Sequence, residues 1–490
     1  MGASDLRGAP PAGIPLGRLG DVAVRMQGEL LAGDPAAPVA GAAADTRAVR
    51  PGDLFCAIRG ERVDAHRLIP AAFAAGATAV LVDRRPGDGW SLEDVPAGAG
   101  ALWVPGVIPA LGRMAAAHLR ALVPAPLVVG VTGSVGKTGT RGLVAAALGG
   151  GGAPVLTPQR SFNTEVTVPL VCLRAGGQPF IALELAMRGP GQIAYLCEMC
   201  SPRIGVLTVI GQSHMESLGS QEAIVQAKGE LLAALPADGW AVMNADDPRQ
   251  PAMAARSRAP VCWYGLDHPA DVRAEGVRPG EGGGYRFTAI LPGGRRVAVD
   301  LPVVGRHHVR NALAALAVAD LAGVSPEAAA AGLRRMQPEA HRMAWRRAGR
   351  VRVLDDAYNA APQSVVAALE SLVELTPEGP RAAVLGDMFE LGAAAEGAHR
   401  EVGEAAARAG LRWLVTVGPL AEIIARTAVQ RGMDAARVVS VPDRMAAEEA
   451  VRALLEGSPE GIAVLVKGSR ALGLEGLVTV IEAWGRPGAD

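Results

Sequence analysis

Leu127 to Thr140 reads LVVGVTGSVGKTGT, an apolar run that passes through a glycine turn into a lysine-threonine pair. That order suits a strand feeding a loop whose backbone N–H groups curl around a phosphate at the start of a helix. Thr132, Gly133, Ser134, Val135, Gly136, Lys137 and Thr138 are the expected phosphate-binding residues, with Gly133 and Gly136 giving the chain its freedom to curl. Lys137 would place a point charge on the β- and γ-phosphates, and the Thr138 hydroxyl would ligate the Mg²⁺ that travels with ATP. The longer GxxxxGK[ST] pattern needs glycine where Val131 stands, so the shorter TGSVGKT is the match. Its expected context is a strand over 127–131 and a helix over 141–148.

A second signal is the choice of cation. Of 48 basic residues only Lys137, Lys228 and Lys467 are lysine, so arginine serves almost everywhere that a positive charge suffices. Arginine stays protonated and cannot act as a neutral amine, which makes the three surviving lysines candidates for chemistry closed to arginine. The alternative is chance survival under a compositional bias, but the first of them already stands in the phosphate loop.

These residues need elements to hold them. From about 124 to 340 the pattern is strand then helix, repeated, which predicts a parallel sheet with its ligand at the carboxyl ends of the strands. PFIALEL ends near Glu184, RIGVLTVI is followed by a stretch with His214 and Glu216, and the helix after that carries Lys228. Singly, a carboxylate there can be a helix cap and a histidine a packed ring. Together beside a phosphate loop they read as a Mg²⁺ site, since Mg²⁺ needs oxygen ligands. Gly284 to Gly305 alternates around Pro-Gly-Gly as a hairpin, and GRHHVRNALAALAVADLAG predicts a helix with His307, His308 and Asn311 at its start, as capping groups or as ligand contacts.

Residues 1–123 alternate short strands and helices around Asp45-Thr46-Arg47, which on its own reads as a capped turn or a binding loop. Pro124 and Pro126 suit a linker. Residues 341–490 give five strands with helices between them, a second doubly wound sheet without the GxGxxG fingerprint after its first strand. Asp355, Asp356, Asp387 and Lys467 fall at the carboxyl ends of its strands, with Tyr358 and Asn359 just beyond.

The 490 residues exceed one core, and a net charge of −1 gives no general pull toward nucleic acid or acidic membranes. No apolar run has the length of a membrane span, and the start lacks the core of a signal peptide, so a cytoplasmic protein is expected. Five cysteines, odd in number and scattered, fit reduced thiols; Cys197 and Cys200 form a lone CxxC in a helical stretch.

The ordered set DTRAVRPGDLFCAIRGERVDAH, TGSVGKT, SFNTEVTVPL, ELAMRGPGQI, SHMESLGS, AKGEL, MNADDP, GRHHVRNALAA, DDAYNAAPQSVVAAL, VLGDMFELG and VKGSR resembles the Mur ligase family, the ATP-dependent amide-forming enzymes of peptidoglycan precursor synthesis. The resemblance implies an α/β protein of three domains: a small α/β N-terminal domain that binds a UDP-substrate (1–123), a central parallel-sheet P-loop ATPase domain (124–340) and a Rossmann-like C-terminal domain (341–490). DDAYNA with LGDMFELG implies the family activity that adds D-alanyl-D-alanine to UDP-N-acetylmuramoyl-tripeptide through an acyl phosphate.

By the same resemblance, ATP and Mg²⁺ are the cofactors and the protein is expected to be a monomer. Thr138 and Glu184 would hold one Mg²⁺, and His214 and Lys228 the second, with Lys228 turned into an oxygen ligand by carbamylation. Lys137, Lys228, His214 and Glu184 are thus the implied catalytic set. Asn311 would sit near adenine, with Arg342 and Asp356 reaching the nucleotide from the hinge and the last domain. Asp45, Thr46 and Arg47 resemble the uridine-diphosphate site. Asn163 and Thr164 would meet the incoming peptide, and Asn359 and Lys467 are further candidate substrate contacts. Departures from the family pattern are Gly139, Val209, Gln212-Ser213, His308 and Ala361. A folylpolyglutamate-type ligase and a non-enzymatic nucleotide switch are the rival readings. No motif sets the third residue of the tripeptide, diaminopimelate or lysine.

Overall fold

The computed structural model describes residues 14–60, 63–158, 162–211, 218–337 and 339–486. Strands of the phosphate-loop region are apolar runs buried on both faces, as parallel strands covered by helices must be. Nine strands form that sheet, in the order Val155–Leu156, Phe180–Glu184, Leu127–Thr132, Ile204–Leu207, Trp240–Asn244, Val261–Gly265, Val272–Pro279, Tyr285–Ile290 and Arg296–Leu301. Pairing is parallel as far as Val272–Pro279, and the last two strands are the antiparallel hairpin expected around Pro-Gly-Gly.

Leu127–Thr132 lies between Phe180–Glu184 and Ile204–Leu207, so the chain leaves it in one direction and returns on the other side. Glu184 is level with Val131, and Leu207 with Thr132. Three carboxyl ends therefore open at one height, and a crevice is expected there.

Helix Lys137–Leu148 begins four residues before its predicted start, because Gly136, at φ +88°, caps it directly from the loop. Against it packs the alanine-rich helix Arg306–Leu321. Small residues let the two backbones approach closely, which brings Asn311 next to the loop.

A separate six-stranded sheet runs Ala344–Ala348, Val351–Asp355, Ile462–Lys467, Arg381–Gly386, Leu414–Val417, Val438–Val441. Its last five strands match the five expected; Ala344–Ala348 is an additional antiparallel edge strand. AWRRA hides from periodicity because its two adjacent arginines break the alternation of a half-buried strand. Toward the start of the chain a five-stranded sheet spans Glu29–Ala32 to Gly100–Trp103.

Helix Val107–Ala121 does not close off a core of its own. It joins the five-stranded unit to the central helices, and buried side chains form one continuous cluster from Leu16 to Ala259. His118 Nε2 reaches the Ala175 carbonyl at 2.8 Å, and the Tyr195 hydroxyl donates to the Ile108 carbonyl at 3.3 Å. Cys197 and Cys200 are buried free thiols on helix Gln192–Cys200, their pKa values raised by burial, which makes them packing residues.

Candidate active site

The loop is pinned before any ligand arrives. Ser134 N donates to the Val209 carbonyl at 2.8 Å, and Thr208 Oγ1 donates to the Val135 carbonyl at 2.7 Å. Gly133, at φ +147°, has no room for a side chain: a Cβ there would stand 1.9 Å from Thr208 Oγ1. Lys137 Nζ donates to the carbonyls of Gly133 and Ser134 at 2.8 and 3.0 Å. Burial lowers its pKa, opposed by Glu184 and aided by Arg342.

Glu184 organises the adjacent strand end. It is buried, its Oε2 accepting from Thr138 Oγ1 at 2.7 Å and its Oε1 from Asn163 Nδ2 at 2.8 Å. Two hard oxygens side by side at a phosphate loop are the donor set that a Mg²⁺ ion takes.

Beneath the loop lies Lys228, on helix Gln221–Ala234. It is 0% exposed, and its Nζ has no hydrogen-bond partner among the described residues. An unpaired buried ammonium is among the costliest groups in a fold, so burial favours the neutral amine. Burial accordingly holds its pKa well below the ordinary lysine value; Lys137 adds to the effect, while Glu184 and Glu230 oppose it. Glu230 also caps the neighbouring helix, accepting from Gly191 N at 2.6 Å and Ala194 N at 3.0 Å. His214 and Glu216 lie outside the described residues.

Across the crevice stand groups from the six-stranded unit. Asp356 Oδ2 accepts from Lys467 Nζ at 2.5 Å, its Oδ1 accepts from Met343 N at 3.1 Å, and Lys467 also donates to the Asn359 carbonyl at 2.9 Å. Arg342 lies 3.9 Å over the Tyr358 ring and 3.3 Å from Glu339, whose other oxygen takes Arg141 at 2.5 Å. Burial raises the Glu339 pKa, partly offset by Arg141 and Arg342. The rings of His307 and His308 lie 4.3 Å apart, tilted by 41°, and burial lowers both pKa values, that of His308 to about 4.

One cleft of about 740 Å³ unites Ser134 to Thr138, Asn163, Thr164, Glu184, Asn311, Arg342, Asp356, Asn359 and Lys467. That is the size of a nucleotide-scale pocket. Thr132 and Gly133 stay behind it as loop supports, Thr132 Oγ1 donating to the Leu185 carbonyl at 2.7 Å. Asp45, Thr46 and Arg47 do not line it. Asp45 caps the short turn Thr46–Ala48 through Arg47 N at 3.0 Å and pairs with the Arg47 guanidinium at 2.5 Å, so the capped-turn geometry is present. The pair Arg141–Glu339 escaped sequence reasoning because 198 residues separate its members and no local pattern joins them.

Three family models match the chain in order. They are described as Mur ligase family, catalytic domain (38–118), Mur ligase middle domain (131–319) and Mur ligase, glutamate ligase domain (341–470). A Mycobacterium tuberculosis protein named UDP-N-acetylmuramoyl-tripeptide--D-alanyl-D-alanine ligase is 38% identical over 475 residues, covering 90% of this chain and 91% of that one. The crystal structure of MurF from Acinetobacter baumannii superposes with a TM-score of 0.85 at 26% identity, covering 96% of this chain and 99% of that one. That of MurF ligase from Thermotoga maritima in complex with ADP gives 0.77 at 26% identity, covering 90% and 97%. With three Mur ligase family models matched in order and a relative 38% identical over 90% of this chain, the chain belongs to the Mur ligase family.

Proposed function

We propose that this chain joins D-alanyl-D-alanine to UDP-N-acetylmuramoyl-tripeptide at the expense of ATP, in cytoplasmic peptidoglycan precursor synthesis, acting as a monomer. The reading divides the work among residues 1–123 for the UDP-substrate, 124–340 for ATP and 341–490 for closure over the nucleotide. One observation carries it most: a fully buried lysine amine without a partner among the described residues, next to Glu184 and Lys137, has the setting of a group destined for modification to an oxygen ligand.

The reaction must make an unreactive carboxylate electrophilic. Lys137 and the loop N–H groups hold the β- and γ-phosphates while Asn163 and Thr164 orient the peptide carboxylate for in-line attack on the γ-phosphorus. A P–O bond forms to the peptide, the β,γ-bridging bond breaks, and ADP leaves with its electron pair. The dipeptide amine then attacks the acyl carbon, phosphate leaves from the tetrahedral intermediate, and the amine's proton passes to solvent. Thr138 and Glu184 would hold one Mg²⁺, and His214 and carbamylated Lys228 the other; bound there, the ions would spread the charge of the moving phosphoryl group. Arg342 and Asp356 contact the nucleotide from the far wall and exclude water from the acyl phosphate.

The test is phosphate release with ATP, UDP-N-acetylmuramoyl-tripeptide and D-alanyl-D-alanine, each omitted in turn. Release that needs both acceptor and dipeptide is expected. Release without the dipeptide, or turnover with a folate and glutamate instead, overturns the reading.

A further inference from the structure

The first turns of helices Lys137–Leu148 and Arg306–Leu321 meet across bare backbone. A Cβ on Gly139 would stand 3.1 Å from His308 Cε1 and 3.6 Å from its Nδ1, so the imidazole fills the space that a side chain at 139 would need. The His307 ring lies against it, tilted by 41° with the ring centres 4.3 Å apart. His308 lines the cleft, yet its Nδ1 is enclosed and has no hydrogen-bond partner among the described residues.

A neutral imidazole carries one N–H and one bare nitrogen. Enclosing an N–H without an acceptor is rarer and costlier than enclosing a lone pair. The favoured tautomer leaves Nδ1 bare and puts the proton on Nε2, which is not enclosed and makes no hydrogen bond to a described residue. A donor with no protein acceptor therefore faces the cleft, one residue beyond the loop that takes the β- and γ-phosphates. That is where the α-phosphate of a nucleotide meets the free N–H groups of a first helical turn.

We propose that His308 binds the nucleotide, its Nε2–H donating to a non-bridging oxygen of the α-phosphate, and that Gly139 is glycine because the ring occupies the space beside it. The inference rests on the ATP reading above and adds a contact and a dependence between two positions.

Calorimetric titration of the full chain with ADP, and with adenosine by competition, tests it without turnover. His308→Ala should weaken ADP by about tenfold or more, the loss of one hydrogen bond to a charged group, and leave adenosine unchanged. His308→Gln, whose amide nitrogen reaches a similar place, should recover most of the affinity. Gly139→Ala should weaken ADP by displacing the ring, and the double variant Gly139→Ala/His308→Ala should bind no worse than His308→Ala alone. ADP affinity equal to the parent's in His308→Ala, adenosine weakened in step with ADP, or additive losses in the double variant would each overturn the proposal. A parent chain that binds no ADP would overturn the ATP reading, and this inference with it.

Discussion

Lys228 shows how a side chain's environment decides its chemistry. Buried, without a partner among the described residues and with a depressed pKa, its amine is biased toward the neutral, nucleophilic form, whereas arginine in its place would keep its charge. Lys228→Arg should lower kcat by about 10²–10³-fold or more, the scale of losing a transition-state charge stabiliser, with the fold intact by circular dichroism. Carbon-13 bicarbonate should give a carbamate resonance in the parent that the variant lacks; parent-like turnover by the variant at saturating Mg²⁺ contradicts the assignment. Glu184→Gln keeps the shape and removes a charge, so the Mg²⁺ concentration for half-maximal rate should rise by about tenfold. An unchanged Mg²⁺ dependence would remove Glu184 from the metal set. At this scale the sequence was informative where chemistry restricts residue type, as with three lysines among many arginines. It offered His308 as a cap or a ligand contact but was silent on its pairing with Gly139, which exists only once two helices are packed.

The phosphate loop is legible because strand, turn and helix start are contiguous, and Gly133 and Gly136 mark the turns by their composition alone. What the residues could not display is how tightly the loop is seated against Thr208 and Val209. Gly133→Ala would drive a methyl into Thr208 Oγ1, so a loss of about 1–3 kcal/mol of stability and a raised KM for ATP are expected in urea unfolding and steady-state assays. A neutral outcome would mean that the loop moves freely. Helix Lys137–Leu148 is also tied to the hinge through Arg141 and Glu339. A double-mutant cycle of Arg141→Met and Glu339→Gln should give a coupling of about 1–3 kcal/mol. Additive effects would show that the two elements are independent. The ion pair was invisible because its partners are distant in sequence, whereas the Ala344–Ala348 strand, paired with the adjacent Val351–Asp355, was hidden by its own arginine-rich composition.

Across the whole molecule, burial disfavours the charged form of several imidazoles. The pKa values of His118, His307, His308 and His399 all lie below the ordinary value, with desolvation as the largest cause. The unfolded chain, whose histidines titrate near ~6.5, then binds more protons than the folded one as pH falls, so acid favours unfolding. The histidine contribution to stability should be level above about pH 7 and decline from ~6.5 downward, by ~1.4 kcal/mol for each unit of downward shift once the pH is below both values. Urea midpoints at several pH values will read this, and a midpoint unchanged down to pH 5 would contradict it. The three-part order of the chain was readable from its strand and helix runs, but the core shared by the first two parts was not, since it forms across helix Val107–Ala121. The three lysines leave a practical legacy. Lys137, Lys228 and Lys467 stand in or directly under a single crevice, and the outer surface is arginine throughout. A reagent that acylates side-chain amines therefore has no harmless lysine to land on: lysine labelling is an inactivation assay, and nucleotide should protect against it.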